Sequence, residues 1–392
     1  MRKQAVAIWA AALALRLLLA FGFGRVERGF AEVQFIARSL LERGEFGNPY
    51  TIPTRPTSHT APVYPAVQAL IFAGFGYGEA AENARIVLSI ALASLEYALL
   101  PWVALRLGLG AWPGLASGWF GALVPLHYWG EAMGVFENTL AALLLLVFAG
   151  WIGMADEPPR WRSSVAAGAF AGILLLTSPA LLLPVAALAA WRTRFRTGPL
   201  LAGGAAARLV AAPWILRNRI VFGGWSFVRG EMGLELNISN FPGATPDAQD
   251  NTGTAHFRAA HPFANPGLCL WIREIGERRF YQESGRQAMA WIRANPAEFA
   301  RLACWRWSRF WAPWSRHGWH RAGLIFVLAL AVGGWFAAWP ASAPLLLAPL
   351  AYSLVAVMVQ TSIRYSHPVW WALCLSAGAA AGWLRDKLIN SQ

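Results

Sequence analysis

The sequence predicts an all-α polytopic membrane protein: a bundle of roughly ten transmembrane helices with outward-facing juxtamembrane helices and a small extracytoplasmic helical segment. Hydrophobic residues make up 57% of the 392 residues and charged residues 14%, about half the charged share of a soluble domain. Apolar runs close to the ~20 residues that cross a bilayer recur along the chain. Basic residues gather between these runs, as they do beside the spans of membrane proteins.

The first apolar run, "MRKQAVAIWAAALALRLLLAFGFG", starts like a signal peptide because Arg2 and Lys3 precede it. It has no clear small-residue cleavage site and reaches the length of a span, so we expect it to be a retained first helix. Further spans are predicted near residues 84–105, 112–129, 137–154, 164–191, 199–217, 322–339, 344–361 and 368–384.

Two apolar stretches need a second criterion. Residues 63–77 fall short of the ~17 residues needed to cross and are flanked by prolines, whereas residues 164–191 are too long for one span and contain "TSP" at 177–179. We expect residues 63–77 to form a helix along the membrane surface and residues 177–179 to be the tip of a helical hairpin. With these two choices, the basic groups between the spans all lie on the cytoplasmic face, together with Arg2 and Lys3. These groups are Arg106, Arg160, Arg162, Arg192, Arg194, Arg196, Arg385 and Lys387.

The same topology brings five polar segments to the outer face, which is the layout of an active site. They are residues 25–62, 130–136, 177–179, 219–320 and 364–367. We therefore expect a transmembrane core over 1–218 with its first external loop at 25–83, an extracytoplasmic loop domain over 219–320, and C-terminal transmembrane helices over 321–392. In the loop domain, a 3.6-residue apolar period broken at Asn295-Pro296 predicts two or three helices.

The chain's charge suggests anionic partners. Of the 33 basic residues only Lys3 and Lys387 are lysines, and the net charge is +13. Arginine contacts phosphate with two prongs, so membrane lipids or a phosphorylated lipid are expected partners; anchoring by the positive-inside rule accounts for the arginines equally well. Cys269, Cys304 and Cys374 lack metal-ligand or disulfide spacing, and no metal, cofactor or nucleic-acid partner is expected.

Several motifs occur in a characteristic order: "GFAEVQFIARSL", "PTSHTAPVYPAVQALIFAGFG", "FENTLAALLLL", "LLLTSPALL", "APWILRNRIVFGG" and "AWIRANPAEFARL". Together they resemble the GT-C superfamily of polyprenyl-phosphate-sugar-dependent glycosyltransferases, in the branch of protein mannosyltransferases and the lipid A aminoarabinose transferase. The resemblance runs from the first span to "IRYSHP" near the end of the sequence. It implies a GT-C-like bundle in the bacterial inner membrane with its active site facing outward.

The resemblance also implies two acidic positions. A catalytic carboxylate in the first external loop corresponds to Glu32, with Glu27 as the alternative base, and a second acid at the start of a span corresponds to Glu137, with Glu131 nearby. Family members usually carry aspartate in the first loop, whereas residues 25–62 contain none. The substrate-binding residues expected from the motifs and from the need for cations around phosphate are His59, Tyr64, Arg217, Asn218, Arg364, Tyr365 and His367.

The implied reaction is a single displacement that inverts the anomeric carbon. A sugar leaves a polyprenyl phosphate, the acceptor loses its proton to one carboxylate, and cations stabilise the departing phosphate. Such a base contributes ~10²–10⁴-fold in rate. The acceptor, a glycan, lipid or protein, is not specified by the sequence.

Other interpretations remain open at this stage. Glu32 also fits a solvated position on an interfacial helix, Glu137 a carboxylate stabilised by a helix N-terminus, and the outer arginines a contact with lipid headgroups. At the level of the whole chain, the alternatives are a ligase-type or polymerase-type protein acting on polyprenyl-linked glycans, a transporter or flippase, and a non-catalytic member of the superfamily.

Overall fold

The computed structural model describes residues 1–26, 31–132, 136–153, 161–312 and 317–391. All regular structure in these ranges is helical. Extended pairing within them is limited to two isolated β-bridges, Gly47 with Pro56 and Asp247 with Thr361. The predicted all-α class is confirmed.

The first part of the chain forms ten helices, and the first of them, Arg2–Leu17, continues as a π-helical turn over Leu18–Gly22. In chain order these are α1 (Arg2–Leu17), α2 (Glu32–Arg43), α3 (Val63–Phe75), α4 (Glu79–Arg106), α5 (Ala111–Leu123), α6 (Tyr128–Ala132), α7 (Phe136–Ile152), α8 (Trp161–Thr177), α9 (Leu182–Thr193) and α10 (Thr197–Phe222).

Eleven more helices follow in the described ranges. They are α11 (Met232–Ser239), α12 (Ala248–Thr252), α13 (Ala255–Ala260), α14 (Pro266–Ile275), α15 (Glu277–Ala294), α16 (Pro296–Trp311), α17 (Gly318–Ala337), α18 (Ala343–Ser353), α19 (Val355–Met358), α20 (Ile363–Ser366) and α21 (Trp370–Ile389).

Four of the described helices are long and apolar enough to cross a membrane: Arg2–Gly22, Glu79–Arg106, Thr197–Phe222 and Gly318–Ala337. Shorter apolar helices accompany them at Val63–Phe75, Glu137–Ile152, Trp161–Thr177, Pro179–Thr193 and Ala343–Met358. Length and composition thus identify a polytopic helical membrane protein. Several of its apolar helices are shorter than the runs in the sequence suggested.

Helix breaks explain most of the shortening. The run 112–129 divides where α5 ends at Leu123, two residues before Pro125, and the run 344–361 divides after Ser353. The run 164–191 breaks at the predicted tip, since α8 ends at Thr177 and a 3₁₀ turn over Pro179–Leu181 leads into α9. Proline lacks the N–H that an uninterrupted helix needs, which explains the breaks at Pro125 and Pro179.

The bundle is built around α21. The side chains from Val369 to Ala380 are almost all buried, and Trp371 is among the largest side chains fully enclosed by the protein. Small residues allow close contacts: a Cβ added at Gly334 of α17 would lie within 2 Å of the Ser376 carbonyl, and one at Gly378 would meet Ser117 Oγ at 2.1 Å. Small residues at helix interfaces are typical of membrane bundles.

Basic residues predicted to be cytoplasmic lie at one end of this bundle. Arg106, the last residue of α4, donates from Nε to the Gly150 carbonyl near the end of α7 at 3.0 Å. Arg385 near the end of α21 stacks over Trp112 at the start of α5, 4.7 Å from the ring centroid. Arg162 and Arg192 line one cavity with Ile152. Arg160 lies outside the described residues. We refer to this as the basic end.

At the opposite end, the long segment after α10 contains six helices, more than the two or three predicted. The break at Asn295-Pro296 falls where expected, between α15 and α16. Tyr50 from the first loop is buried in the core of this segment, against the set Leu234, Ile238, Cys269, Ile272, Phe280 and Tyr281. The first loop and the long segment therefore share one core, which fixes their polar side chains relative to each other.

Candidate active site

The centre of the polar end is an ion-pair chain through Glu231, on the short connection between α10 and α11. Its Oε2 lies 2.9 Å from Nδ1 of His59, and its Oε1 contacts the Arg229 guanidinium. Arg229 also donates from Nε to the His59 carbonyl at 3.2 Å. Burial would raise the pKa of Glu231, but the charges of Arg229 and His59 outweigh it and lower that pKa.

His59 is held charged by this arrangement. Burial lowers the pKa of an imidazole, yet the Glu231 carboxylate outweighs it and raises the pKa of His59 to about 9. The hydroxyls of Tyr281 and Tyr50 lie 3.0 and 3.3 Å from the same Nδ1. At neutral pH the chain His59–Glu231–Arg229 therefore carries two positive charges and one negative charge.

Glu137 joins this chain from the membrane side. It lies one residue after the start of α7, with Oε1 3.6 Å from Nη1 of Arg229 and its side chain 16% exposed. The two predicted positions His59 and Glu137 are thus linked through Arg229 and Glu231, although 78 residues of sequence separate them.

Glu32 is the first residue of α2, where the helix N-terminus favours a carboxylate. Its side chain is 24% exposed, and Oε1 lies 4.0 Å from Nε2 of His261. His261 accepts the Phe263 N–H at Nδ1, so its proton is on Nε2 and faces Glu32. Burial lowers the pKa of His261 to about 4, which keeps this imidazole neutral at pH 7.

Arg364 and Tyr365, on α20, complete the cluster. Nη2 of Arg364 donates to the Tyr365 hydroxyl at 3.1 Å. The pKa of Arg364 is raised, by Tyr365 first and then by the carboxylates of Glu235 and Glu32, so both carboxylates lie within electrostatic range. Among the described residues, no carboxylate is within ion-pairing distance (4.0 Å) of Arg364.

A fourth carboxylate, Glu235 on the first turn of α11, faces the same groups. Burial, followed by the charge of Glu231, raises its pKa to about 7. This carboxyl group is therefore near half-protonated at neutral pH. It can therefore accept or supply a proton near neutral pH, where a glycosyltransferase of the class expected from the sequence would work.

A second layer holds the first loop in place. Glu277 at the start of α15 accepts from the Ser58 N–H at 2.7 Å and from Ser58 Oγ at 2.8 Å, and contacts Thr57 Oγ1. Gly230 donates to the Ser58 carbonyl at 2.9 Å. The backbone on both sides of His59 and Glu231 is thus tied to the long segment.

Arg217, predicted as a phosphate ligand, contacts the backbone of the first loop. It donates to the Thr57 and Phe46 carbonyls at 2.8 and 2.9 Å and stacks over Trp214. It also donates to the Asn218 side chain at 3.0 Å. A role for Arg217 or Asn218 at the substrate stays a prediction, and the observed contacts position the loop that carries His59.

The remaining predicted residues are elsewhere. Tyr64 is buried near the start of α3. His367 is buried at the base of α21 with Nε2 3.4 Å from Glu96 on α4. Glu131, the alternative to Glu137, is fully buried and pairs with Arg16 at 2.5 Å. Glu27 lies outside the described residues.

Four members of the cluster were not assigned to the site from sequence: Arg229, Glu231, Glu235 and His261. The alternation "RGEMGLE" places three charges within seven residues just after a span, which is a usable signal. His261 has no comparable signal, because its approach to Glu32 joins positions 229 residues apart. In the described parts of the chain, no group of three or more His, Cys, Asp or Glu side chains could hold a metal ion.

No protein-family model and no curated protein matches the chain. The solved structures that match include ArnT from Cupriavidus metallidurans bound to undecaprenyl phosphate (15% identity, TM-score 0.44) and the same protein in the apo state (16% identity, TM-score 0.40). Each match covers 96% of this chain and 77% of the other. At this identity and TM-score the likeness does not extend to individual side chains.

Proposed function

We propose that the chain is an integral membrane glycosyltransferase that moves one sugar from a polyprenyl-phosphate donor to an acceptor, with the polar end facing outward. The observation that supports this most is that Glu32 and Arg364, 332 positions apart, lie within electrostatic range of each other at the edge of an apolar bundle. A lipid-linked phosphate needs such a location, because its tail stays in the bilayer while its sugar reaches the polar face.

Arg364 is the proposed ligand of the donor phosphate. Arg229 already neutralises Glu231 and approaches Glu137, whereas the contact of Arg364 is with a neutral hydroxyl. A guanidinium in this state can form two charge-assisted hydrogen bonds to phosphate oxygens. As the sugar leaves, the phosphate gains negative charge, which a preorganised cation stabilises.

Glu32 is the proposed general base. Among the described residues, the ionisable side chain that approaches it within 4.0 Å is His261, which is neutral, so no ion pair occupies this carboxylate. Its exposure leaves room for an acceptor hydroxyl or amine, and the N–H of His261 can hold the carboxylate toward it. One base in line with the acceptor gives a single displacement, so the product should have the inverted anomeric configuration.

The test uses purified full-length protein, a radiolabelled polyprenyl-phosphate sugar and a membrane extract as the source of acceptor. Glu32→Gln should lower the rate of lipid-phosphate release by ~10²–10⁴-fold. The matched control is Glu42→Gln on the same helix, whose side chain pairs with the exposed Arg38 at 2.8 Å; its rate should stay near that of the unmodified protein. Full activity in Glu32→Gln would remove the assignment of the base.

Arg364→Gln should raise KM for the donor and lower kcat, whereas Arg258→Gln, a change at an exposed arginine on α13, should alter neither. No release of lipid phosphate from any polyprenyl-linked sugar would exclude the transferase function itself.

One structural observation favours a transport function instead. The pairs Arg16–Glu131 and Glu96–His367 are fully buried among apolar helices, and ionisable groups in such places often mark transport pathways. A transporter would move the sugar-linked lipid across the membrane of proteoliposomes without cleaving the bond between the sugar and the phosphate. A transferase predicts cleavage that depends on Glu32.

A further inference from the structure

A cavity of about 680 Å³ lies between α7, α8, α9 and α10 and extends from the basic end of the bundle toward the helix break at residues 177–179. The residues on its walls include Leu175, Leu182, Val185 and Ala186. Leu182 and Ala186 are exposed on the bundle surface, so the cavity opens sideways, toward the acyl chains of a surrounding bilayer. Its volume is within the ~300–1,000 Å³ of ligand pockets, which are mostly apolar with a few polar groups.

The polar groups of this cavity are concentrated at one end. Arg162, Ser163 and Ser164 come from the start of α8, and Arg192 and Thr193 from the end of α9. Ser164 Oγ is buried without a hydrogen-bond partner in the described structure. Buried hydroxyls are normally satisfied, so an unsatisfied one on a cavity wall points to a bound acceptor or donor atom.

This pattern, two guanidinium groups and a free hydroxyl above an apolar cavity, matches an amphipathic molecule with an anionic head. We propose that the cavity binds an anionic phospholipid, with one acyl chain along the apolar wall that includes Leu175, Leu182 and Val185 and its phosphate held by Arg162 and Arg192. Arginine is suited to phosphate because its planar fork forms two parallel hydrogen bonds.

The lipid-linked sugar donor fits this cavity poorly. Glu137 and Ile152 are near the two ends of α7, and the rise of a helix separates them by roughly 22 Å. A phosphate bound near Arg364, beside Glu137, is therefore too far away to contact Arg162 or Arg192, which are beside Ile152. The cavity is a second lipid site, independent of the proposed transfer reaction.

The test is photo-crosslinking of the purified full-length protein with phospholipids that carry a diazirine in one acyl chain. Phosphatidylglycerol should label cavity residues of α8–α10 at least about tenfold more than phosphatidylcholine with the same chains, since each basic residue near an anionic lipid contributes severalfold. Labelled residues are located by mass spectrometry.

Two variants check the mechanism of binding. Arg162→Gln with Arg192→Gln should abolish the preference for phosphatidylglycerol, and the matched pair Arg194→Gln with Arg196→Gln, exposed at the same end, should keep it. Gly204→Phe should fill the cavity and suppress labelling by both lipids, because a Cβ at Gly204 meets no atom within 4 Å. Size-exclusion chromatography confirms that each variant is folded.

Equal labelling by the two phospholipids in the unmodified protein would overturn the proposal, as would a preference unaffected by loss of Arg162 and Arg192. Stronger labelling of the same residues by a diazirine-bearing polyprenyl phosphate would also overturn it, because the cavity would then belong to the donor.

Discussion

At the scale of single residues, the charge of His59 depends on its partner more than on its surroundings. Burial alone disfavours the imidazolium, and the adjacent Glu231 reverses this to give a pKa of about 9. A group whose pKa is raised on folding stabilises the protein fully below its unfolded value, near 6.5, and loses that contribution as pH rises through its folded value. The contribution of His59 is thus present at neutral pH and lost near pH 9.

We expect His59→Gln to lower the melting temperature of the detergent-solubilised protein at pH 6.5, and the difference from the unmodified protein to shrink as pH rises past about 9. The full effect is on the order of 3 kcal/mol. Thermal unfolding between pH 6 and 10 measures it. His256→Gln is the control, because burial lowers the pKa of His256, the opposite direction from His59 and away from the alkaline part of this range. A difference that stays constant with pH would contradict a charged His59.

At the scale of elements, a buried ion pair joins α1 to α6. Arg16 contacts both carboxylate oxygens of Glu131, at 2.5 and 3.1 Å, and donates to the Ala122 and Gly121 carbonyls. The Tyr97 hydroxyl of α4 donates to the same carboxylate at 2.6 Å. Three helices and the end of α5 therefore meet at one charge pair within the bundle.

Glu131→Gln should destabilise the protein by roughly 3–5 kcal/mol, because it leaves the Arg16 guanidinium buried without its counterion. Replacing both partners, as Arg16→Met with Glu131→Leu, should cost much less. Unfolding by titration with a denaturing detergent compares the variants. If the double replacement is as damaging as the single one, the charge pair is not the origin of the effect.

The close contact between α8 and α10 depends on glycine at position 168, which has no side chain. A Cβ at Gly168 would lie 2.0 Å from the Gly203 carbonyl oxygen, so the two backbones touch there. Gly168→Leu should force the helices apart and cost roughly 1–3 kcal/mol or more, measured in the same detergent titration. Gly198→Leu on α10 is the control, since nothing lies within 4 Å of its Cβ. Equal stability of the two variants would show that α8 and α10 are not closely packed.

At the scale of the whole molecule, the polar end and the basic end should face opposite sides of the membrane. In a variant lacking Cys269, Cys304 and Cys374, a cysteine at the exposed Arg258 should react with an impermeant maleimide in intact cells. A cysteine at Arg194 should react only after the membrane is permeabilised. The reverse pattern would place the candidate active site on the cytoplasmic side and contradict the proposed reaction geometry.

Much of this architecture was predictable because it depends on local sequence. The long apolar helices, the break at residues 177–179 and the break at Asn295-Pro296 follow from composition and from the backbone chemistry of proline. The motifs also placed Glu32, Glu137, His59 and Arg364 at one site. Their side chains lie in one polar cluster of the structure, and their roles at the substrate stay predictions.

The remainder depends on contacts between segments far apart in the chain. Spacing does not show that Arg229 joins Glu137 to Glu231, or that His261 faces Glu32, because the connecting loops have no repeating pattern. Likewise, "PWILRN" suggested that Arg217 faces the substrate, whereas its guanidinium finds two carbonyl partners in the first loop. The sequence does not distinguish an arginine that is available to a substrate from one that holds the backbone of a loop.

The enclosed position of α21 bears on how the protein is made. Translation proceeds from the N-terminus, so α4, α5, α7, α17 and α18, which all pack against α21, leave the ribosome before it. The middle of the bundle is therefore filled after its walls have been synthesised. Until α21 with Trp371 is inserted, the earlier helices must stay in the lipid bilayer without the central helix against which they pack.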